Sequence, residues 1–211
     1  MRRFLFASVL LLAGCASRAA APRSAAPSGP PVEADEYTRY ELLAPETAQF
    51  HILYEVTAIA PGATVFFNPI RRGSAASGER VTDRMTGEEL HFDVVSSKEA
   101  RRTGLPDAEE GVEYIRIRLP RAVPSDGGQV RLLIEKTYKD PKSYFSEGGE
   151  IVFRRSLGVR RNSVVLPEGY ELTSCNYPSQ VLRSGGRILV SFTNPGPDDV
   201  SLTVRARRLP S

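Results

Sequence analysis

Gln49-Phe50-His51-Ile52-Leu53-Tyr54-Glu55-Val56-Thr57-Ala58-Ile59 is the stretch that decides the fold. Phe50, Ile52, Tyr54, Val56 and Ala58 fall on one side of a two-residue period, and His51, Leu53, Glu55 and Thr57 on the other. Successive side chains of a strand point to opposite faces, so this pattern predicts a strand with one buried face. The same period recurs in both directions. Upstream, Tyr37 to Leu43 predicts a strand. Downstream, Pro61-Gly62 turns the chain into a strand over Thr64 to Phe67, which Asn68-Pro69 ends. Residues 71–79, rich in Arg, Gly, Ser and Ala, predict a loop, and a hairpin around Thr86-Gly87 returns through Glu89 to Val95. Residues 96–111 are charged and irregular, with one helical turn over Ser97 to Arg102.

Strands are expected over Val112–Leu119, Gln129–Tyr138 and Glu150–Arg155, with a turn at Asp126-Gly127-Gly128 and a loop at Asp140–Gly149. Asn162–Leu166, Tyr170–Ser174, Arg187–Thr193 and Val200–Arg207 complete the set. About ten short strands, frequent Gly and Pro turns and no long amphipathic helix predict an all-β fold, an antiparallel β sandwich. It is built over residues 37–211, either as one unit or as two small packed β subdomains dividing near residues 140–149.

The N-terminus follows different rules. Arg2 and Arg3 precede the apolar run Phe4 to Leu12, and Leu12-Ala13-Gly14-Cys15 closes it. A basic start, a short apolar run and small residues before a cut mark a signal peptide over residues 1–14. The run is too short for a membrane-spanning helix, which needs about 20 apolar residues. With Cys15 directly after Gly14, the stretch resembles the lipobox of bacterial lipoproteins. That resemblance implies that the Cys15 thiol receives a diacylglyceryl group, that the chain is cut before it, and that the new amine is acylated. Residues 15–36 are Ala/Pro/Ser-rich with Val32 the one strongly apolar side chain, so they are expected to be a disordered tether. Ala16 stands where an Asp would favour inner-membrane retention in Gram-negative lipoproteins. The expected location is therefore the cell envelope, and the periplasmic face of the outer membrane if the organism has one.

The 28 Lys+Arg and 25 Asp+Glu give a net charge of +3. Arg2 and Arg3 leave with the signal peptide, so the mature chain is nearly neutral and nucleic acid is excluded as a partner. Cys15 and Cys175 are the two cysteines. Once Cys15 is lipidated no internal disulfide remains, and the fold must rest on its core.

Catalytic signatures are sparse. His51 and His91 lack the companion ligands that zinc requires, so no metal site is expected. There is no Gly-rich phosphate loop, serine elbow or kinase-like signature, and no cofactor is expected. Cys175, before Asn176, is a candidate nucleophile in a hydrolase or transferase that recruits a distant histidine, or else a packed structural thiol.

Two clusters rise above this background. Lys136, Tyr138, Lys139, Lys142 and Tyr144 concentrate cations and aromatics in one segment. Arg154, Arg155, Arg160 and Arg161 follow closely. Arginine forks suit phosphate and carboxylate, so a hairpin bringing the two clusters together would form a basic binding surface. Tyr138, Tyr144 and Tyr177 are the candidates for a glycan-stacking platform. The series of β segments resembles the N-terminal β domain of gluzincin aminopeptidases. Without the metal motif that those enzymes carry in a following domain, the resemblance implies a stand-alone β scaffold used for interaction. The reading that results is a membrane-anchored, non-catalytic envelope module that binds an envelope protein or polymer.

Overall fold

The computed structural model describes residues 35–210. The expected signal peptide, Cys15 and the expected tether up to residue 34 lie outside the described residues, whereas Glu36, expected at the end of that tether, is ordered and pairs with Val56 in a strand.

The alternating stretch becomes β2 (Gln49–Ala58). It lies inside a seven-stranded sheet with β1 (Glu36–Leu42), β4 (Ala75–Asp83), β7 (Val130–Lys139), β10 (Arg161–Val165), β12 (Gln180–Ser184) and β13 (Arg187–Thr193). The order is β12-β13-β10-β1-β2-β7-β4. Pairing is antiparallel except between β1 and β10, which run parallel with Tyr40 beside Val164. A four-stranded sheet holds β8 (Tyr144–Glu147), β9 (Glu150–Leu157), β11 (Tyr170–Cys175) and β14 (Val200–Arg208) in the order β11-β14-β9-β8. A three-stranded sheet holds β3 (Val65–Ile70), β5 (Phe92–Ser96) and β6 (Glu113–Arg118) in the order β3-β6-β5. The helix α1 (Ser97–Thr103) follows β5; Ser96 Oγ accepts from the Glu99 N–H at its start.

Both small sheets pack on one face of the long sheet. Phe50 and Ile52 of β2 join Tyr40, Tyr138 and Val164 against Phe153 and Leu202 of the four-stranded sheet. Val56 and Ala58, in the same phase of the same strand, join Leu132 and Ile134 against Ile115 and Ile117 of the three-stranded sheet. The β2–β7 register runs unbroken from Gln49 to Ala58, so these residues share a face. Tyr54, between the two sets, touches both cores. Each fully buried aliphatic or aromatic side chain contributes about 1.5–3 kcal/mol. Phe50 and Phe153 add an edge-to-face contact across the layers, with ring centroids 5.3 Å apart.

Several expectations needed correction. Residues 71–79 are not all loop, because β4 begins at Ala75. It is an edge strand with a register shift between Ser77 and Arg80 that takes in Gly78 at φ +64°, and a bulged edge tolerates small polar residues. Asn68-Pro69 does not end β3; Pro69 pairs opposite Tyr114 on an edge strand, where a missing N–H is tolerated. The turn near Thr86-Gly87 forms, with the Gly87 N–H donating to Asp83 O, but its return strand leaves the sheet and β5 pairs with β6 instead. The segment 140–149 contains β8, which turns through Gly148-Gly149 (φ +61° and +81°) into β9. The segment Gln180–Ser184 is also a strand, fully exposed at the sheet edge, so no burial pattern marks it.

Candidate functional site

Along β7 every second residue from Val130 is buried: Val130, Leu132, Ile134, Lys136 and Tyr138. Lys136 therefore enters the core on the apolar phase of its own strand. Its residue is 4% exposed. It stands where the three sheets meet, since Asn68 comes from the three-stranded sheet and Arg155 from the four-stranded one. Lys136 Nζ donates to Asn68 Oδ1 and lies 5.1 Å from the centroid of the Tyr138 ring. Burial first, then the Arg155 charge, lowers the ammonium from 10.5 to about 8, with Glu79 opposing.

Arg155 enters from β9 by the same logic. Phe153, Arg155 and Leu157 point inward while Arg154 and Ser156 point out. The Arg155 guanidinium lies 5.3–5.8 Å from the centroids of Phe50, Tyr138 and Tyr40. Arg155 Nη1 donates to Asp140 Oδ2 at 3.2 Å. Asp140 also accepts from the Ser143 N–H and Oγ, the Lys142 N–H and Ser74 Oγ. Burial alone would raise the Asp140 carboxyl; the Ser143 hydrogen bonds and the Arg155 charge outweigh it and hold the carboxyl below its usual range. Arg155 thus has its carboxylate. Lys136 has none within ion-pair distance among the described residues.

Above this pair opens a pocket of about 370 Å³. Its walls include Tyr40, Ile52, Tyr54, Tyr138 and Val159, and Lys136 and Arg155 line its polar part. Arg71 lines the pocket as well; its backbone N–H donates to Tyr138 Oη and its Nη1 to Ser156 O. A pocket with apolar walls and a few convergent polar groups is the usual form of a small-molecule site. A depression of about 410 Å³ beside His91 differs, because its Arg116 is already paired with Asp93 and Glu99.

The nine residues expected to share a basic surface are sorted by strand alternation. Lys136, Tyr138, Tyr144 and Arg155 are buried. Lys139, Lys142, Arg154, Arg160 and Arg161 are exposed. Arg154 lies over the Phe145 ring, and Arg161 donates to Asp35. A single solvated basic face is therefore not formed by these nine. Tyr144 is fully buried, with its hydroxyl donating to Leu43 O at 2.8 Å, and neither it nor Tyr138 offers an exposed stacking face. Tyr177 is half-buried edge-on against Phe192. The Cys175 thiol lies 3.3 Å from Tyr177 O and 3.2 Å from Ser179 Oγ, whereas His51 bonds to Thr137 and faces Glu135. Among the described residues no hydrogen bond joins either histidine to Cys175. No group of three or more His, Cys, Asp and Glu gathers there to hold a metal, and no helix there is long and apolar enough to cross a membrane.

Sequence reasoning missed Tyr40, Tyr54, Asn68 and Arg71. The phase of β7 and β9 was available to reveal Lys136 and Arg155 as inward residues, but nothing local joins Asn68 to Lys136.

No protein-family model matches the sequence, and no curated protein matches it either. Among solved structures the chain is similar to the M1 zinc metallopeptidase from Deinococcus radiodurans and to a variant of it bound to a Tyr-Ser-Ala substrate. In both comparisons the TM-score is 0.48 with 11% identity over 82% of this chain and 41% of the other. A two-domain M1 zinc metallopeptidase variant bound to L-tryptophan gives the same values. The chain thus spans less than half the length of those enzymes, and the likeness concerns the fold alone.

Proposed function

We propose that this chain is a lipid-anchored, non-catalytic β module of the cell envelope, and that it binds through the pocket at the sheet junction. The observation that carries the binding half is Lys136. A buried ammonium without a carboxylate partner is costly, and an apolar residue of similar size would hold the layers together better. Such a group is explained when something outside the chain uses its charge. The anchoring half is supported by Leu12-Ala13-Gly14-Cys15 after a short apolar run. Two acyl chains give stable attachment at about 0.8 kcal/mol per buried methylene.

Anchoring is tested by metabolic labelling with a fatty-acid analogue. The parent should take up label and Cys15→Ser should not; equal label in both removes the anchor. Binding is tested by crosslinking the native protein in its own membrane and recovering what is attached. The captured envelope component should be lost with Lys136→Met. Its undiminished recovery would place binding elsewhere on the molecule.

A further inference from the structure

We infer that the junction pocket binds an amphiphile with one anionic head, a carboxylate or a phosphate ester, and an apolar body. The inference deepens the binding reading above by naming the ligand chemistry. The charge count fixes the head. Asp140 answers Arg155 at 3.2 Å, which leaves the Lys136 ammonium as the uncompensated charge that is buried. Glu79, on β4, acts on Lys136 only through its field. A cationic ligand would meet Lys136 and Arg71 together and be repelled. A neutral ligand would leave the Lys136 charge as costly as it is in the empty pocket.

The walls fix the body. Tyr40, Ile52, Tyr54, Tyr138 and Val159 present mainly carbon, and about 370 Å³ lies within the range of small-molecule sites. A small hydrated anion would leave those walls wet. An alkyl or aromatic body covers them and gains about 25 cal/mol for each Å² of apolar surface removed from water. Arg71 at the same pocket adds a second donor of the right sign for the head. Charge-assisted hydrogen bonds to such a head are short and roughly twice as strong as neutral ones.

The test uses the full chain in phosphatidylcholine nanodiscs, with empty nanodiscs subtracting ligand that merely partitions into lipid. Octanoate, octyl phosphate, octylammonium and inorganic phosphate are titrated at equal ionic strength. Octanoate or octyl phosphate should bind, and the two arms separate a carboxylate head from a phosphate one. Octylammonium should not bind. Lys136→Gln should weaken the bound anion about 10- to 100-fold. Val159→Trp, which fills the pocket and leaves every charge in place, should abolish binding, so the result does not hang on one variant. Binding of octylammonium as tight as octanoate, of inorganic phosphate as tight as octyl phosphate, or of neither octyl anion overturns the inference. Labelling at Cys15 and crosslinked capture are read separately, so their failure and the failure of this titration are told apart.

Discussion

Lys136 and Arg155 carry their charges over one ring, that of Tyr138, at 5.1 and 5.5 Å from its centroid. They come from different sheets, β7 in the long sheet and β9 in the four-stranded one. The aromatic face softens the approach of two cations, yet Arg155 still lowers the Lys136 ammonium. Only one of the two has a carboxylate, and that asymmetry sets the first predictions.

Lys136→Met should stabilise the protein at neutral pH. Lowering the ammonium from 10.5 to about 8 corresponds to roughly 3 kcal/mol of cost at 1.36 kcal/mol per pKa unit. Leaving Asn68 Oδ1 without its donor takes back about 1 kcal/mol or more, for a net gain of about 1–2 kcal/mol. Between pH 8 and 10.5 the unfolded chain holds the proton that folded Lys136 has released, so this residue makes parent stability rise with pH from 8 to 10. Above pH 10 the buried tyrosines Tyr40 and Tyr138, whose hydroxyls are raised mainly by burial, reverse the slope. Urea unfolding at pH 7.5 and 9.5 checks this: the advantage of the Met variant should shrink at the higher pH.

Asp140→Asn should cost on the order of 3 kcal/mol, because it strands the Arg155 guanidinium in the core. The parent shows the same dependence in acid. The Asp140 carboxyl is held below its ordinary 3.8, so its contribution is present above that pH and is lost as pH falls through the lower folded value. The double variant Asp140→Asn/Arg155→Met should recover part of the loss. Unfolding midpoints of the two variants would show it.

Within the arginine quartet the effects should diverge. Arg154→Gln and Arg161→Gln alter exposed side chains and should each shift stability by about 1 kcal/mol or less. Arg155→Gln removes the ion pair and three ring contacts and should cost several-fold more. Three denaturant curves decide it, and equal shifts would contradict the inward placement of Arg155.

A chain beginning at Asp35 should give a β-dominated circular dichroism spectrum and a cooperative thermal transition. A chain beginning at Leu43 should give neither. It lacks β1, which lies between β2 and β10 and contributes Tyr40 and Leu42 to the core.

The alternation of Gln49–Ile59 and Gln129–Tyr138 carried the fold class and, read strictly, the inward phase of Lys136. Burial of one sheet face selects that period, so it is written locally in the residues. Read in the company of Lys139, Lys142 and Tyr144, Lys136 looked like part of an exposed cationic loop end; the count from Val130 places it inside. Arg155 gave the same lesson two residues after Phe153. Strands without a buried face left no such mark, which is why Gln180–Ser184 was missed.

By itself the sequence determined that the chain is β-rich and set the two-residue phase of its long strands. Tertiary structure alone decided which strands meet. A two-residue period tells a side chain's face but not its sheet, because partner choice depends on burying several strands at once. Thus β1 pairs in parallel with β10, and β5 leaves its hairpin for β6. The pocket is a product of those choices: Asn68 of the three-stranded sheet reaches Lys136 across 68 positions, and Arg155 meets Tyr40, Phe50 and Tyr138 only because the four-stranded sheet closes on the long one.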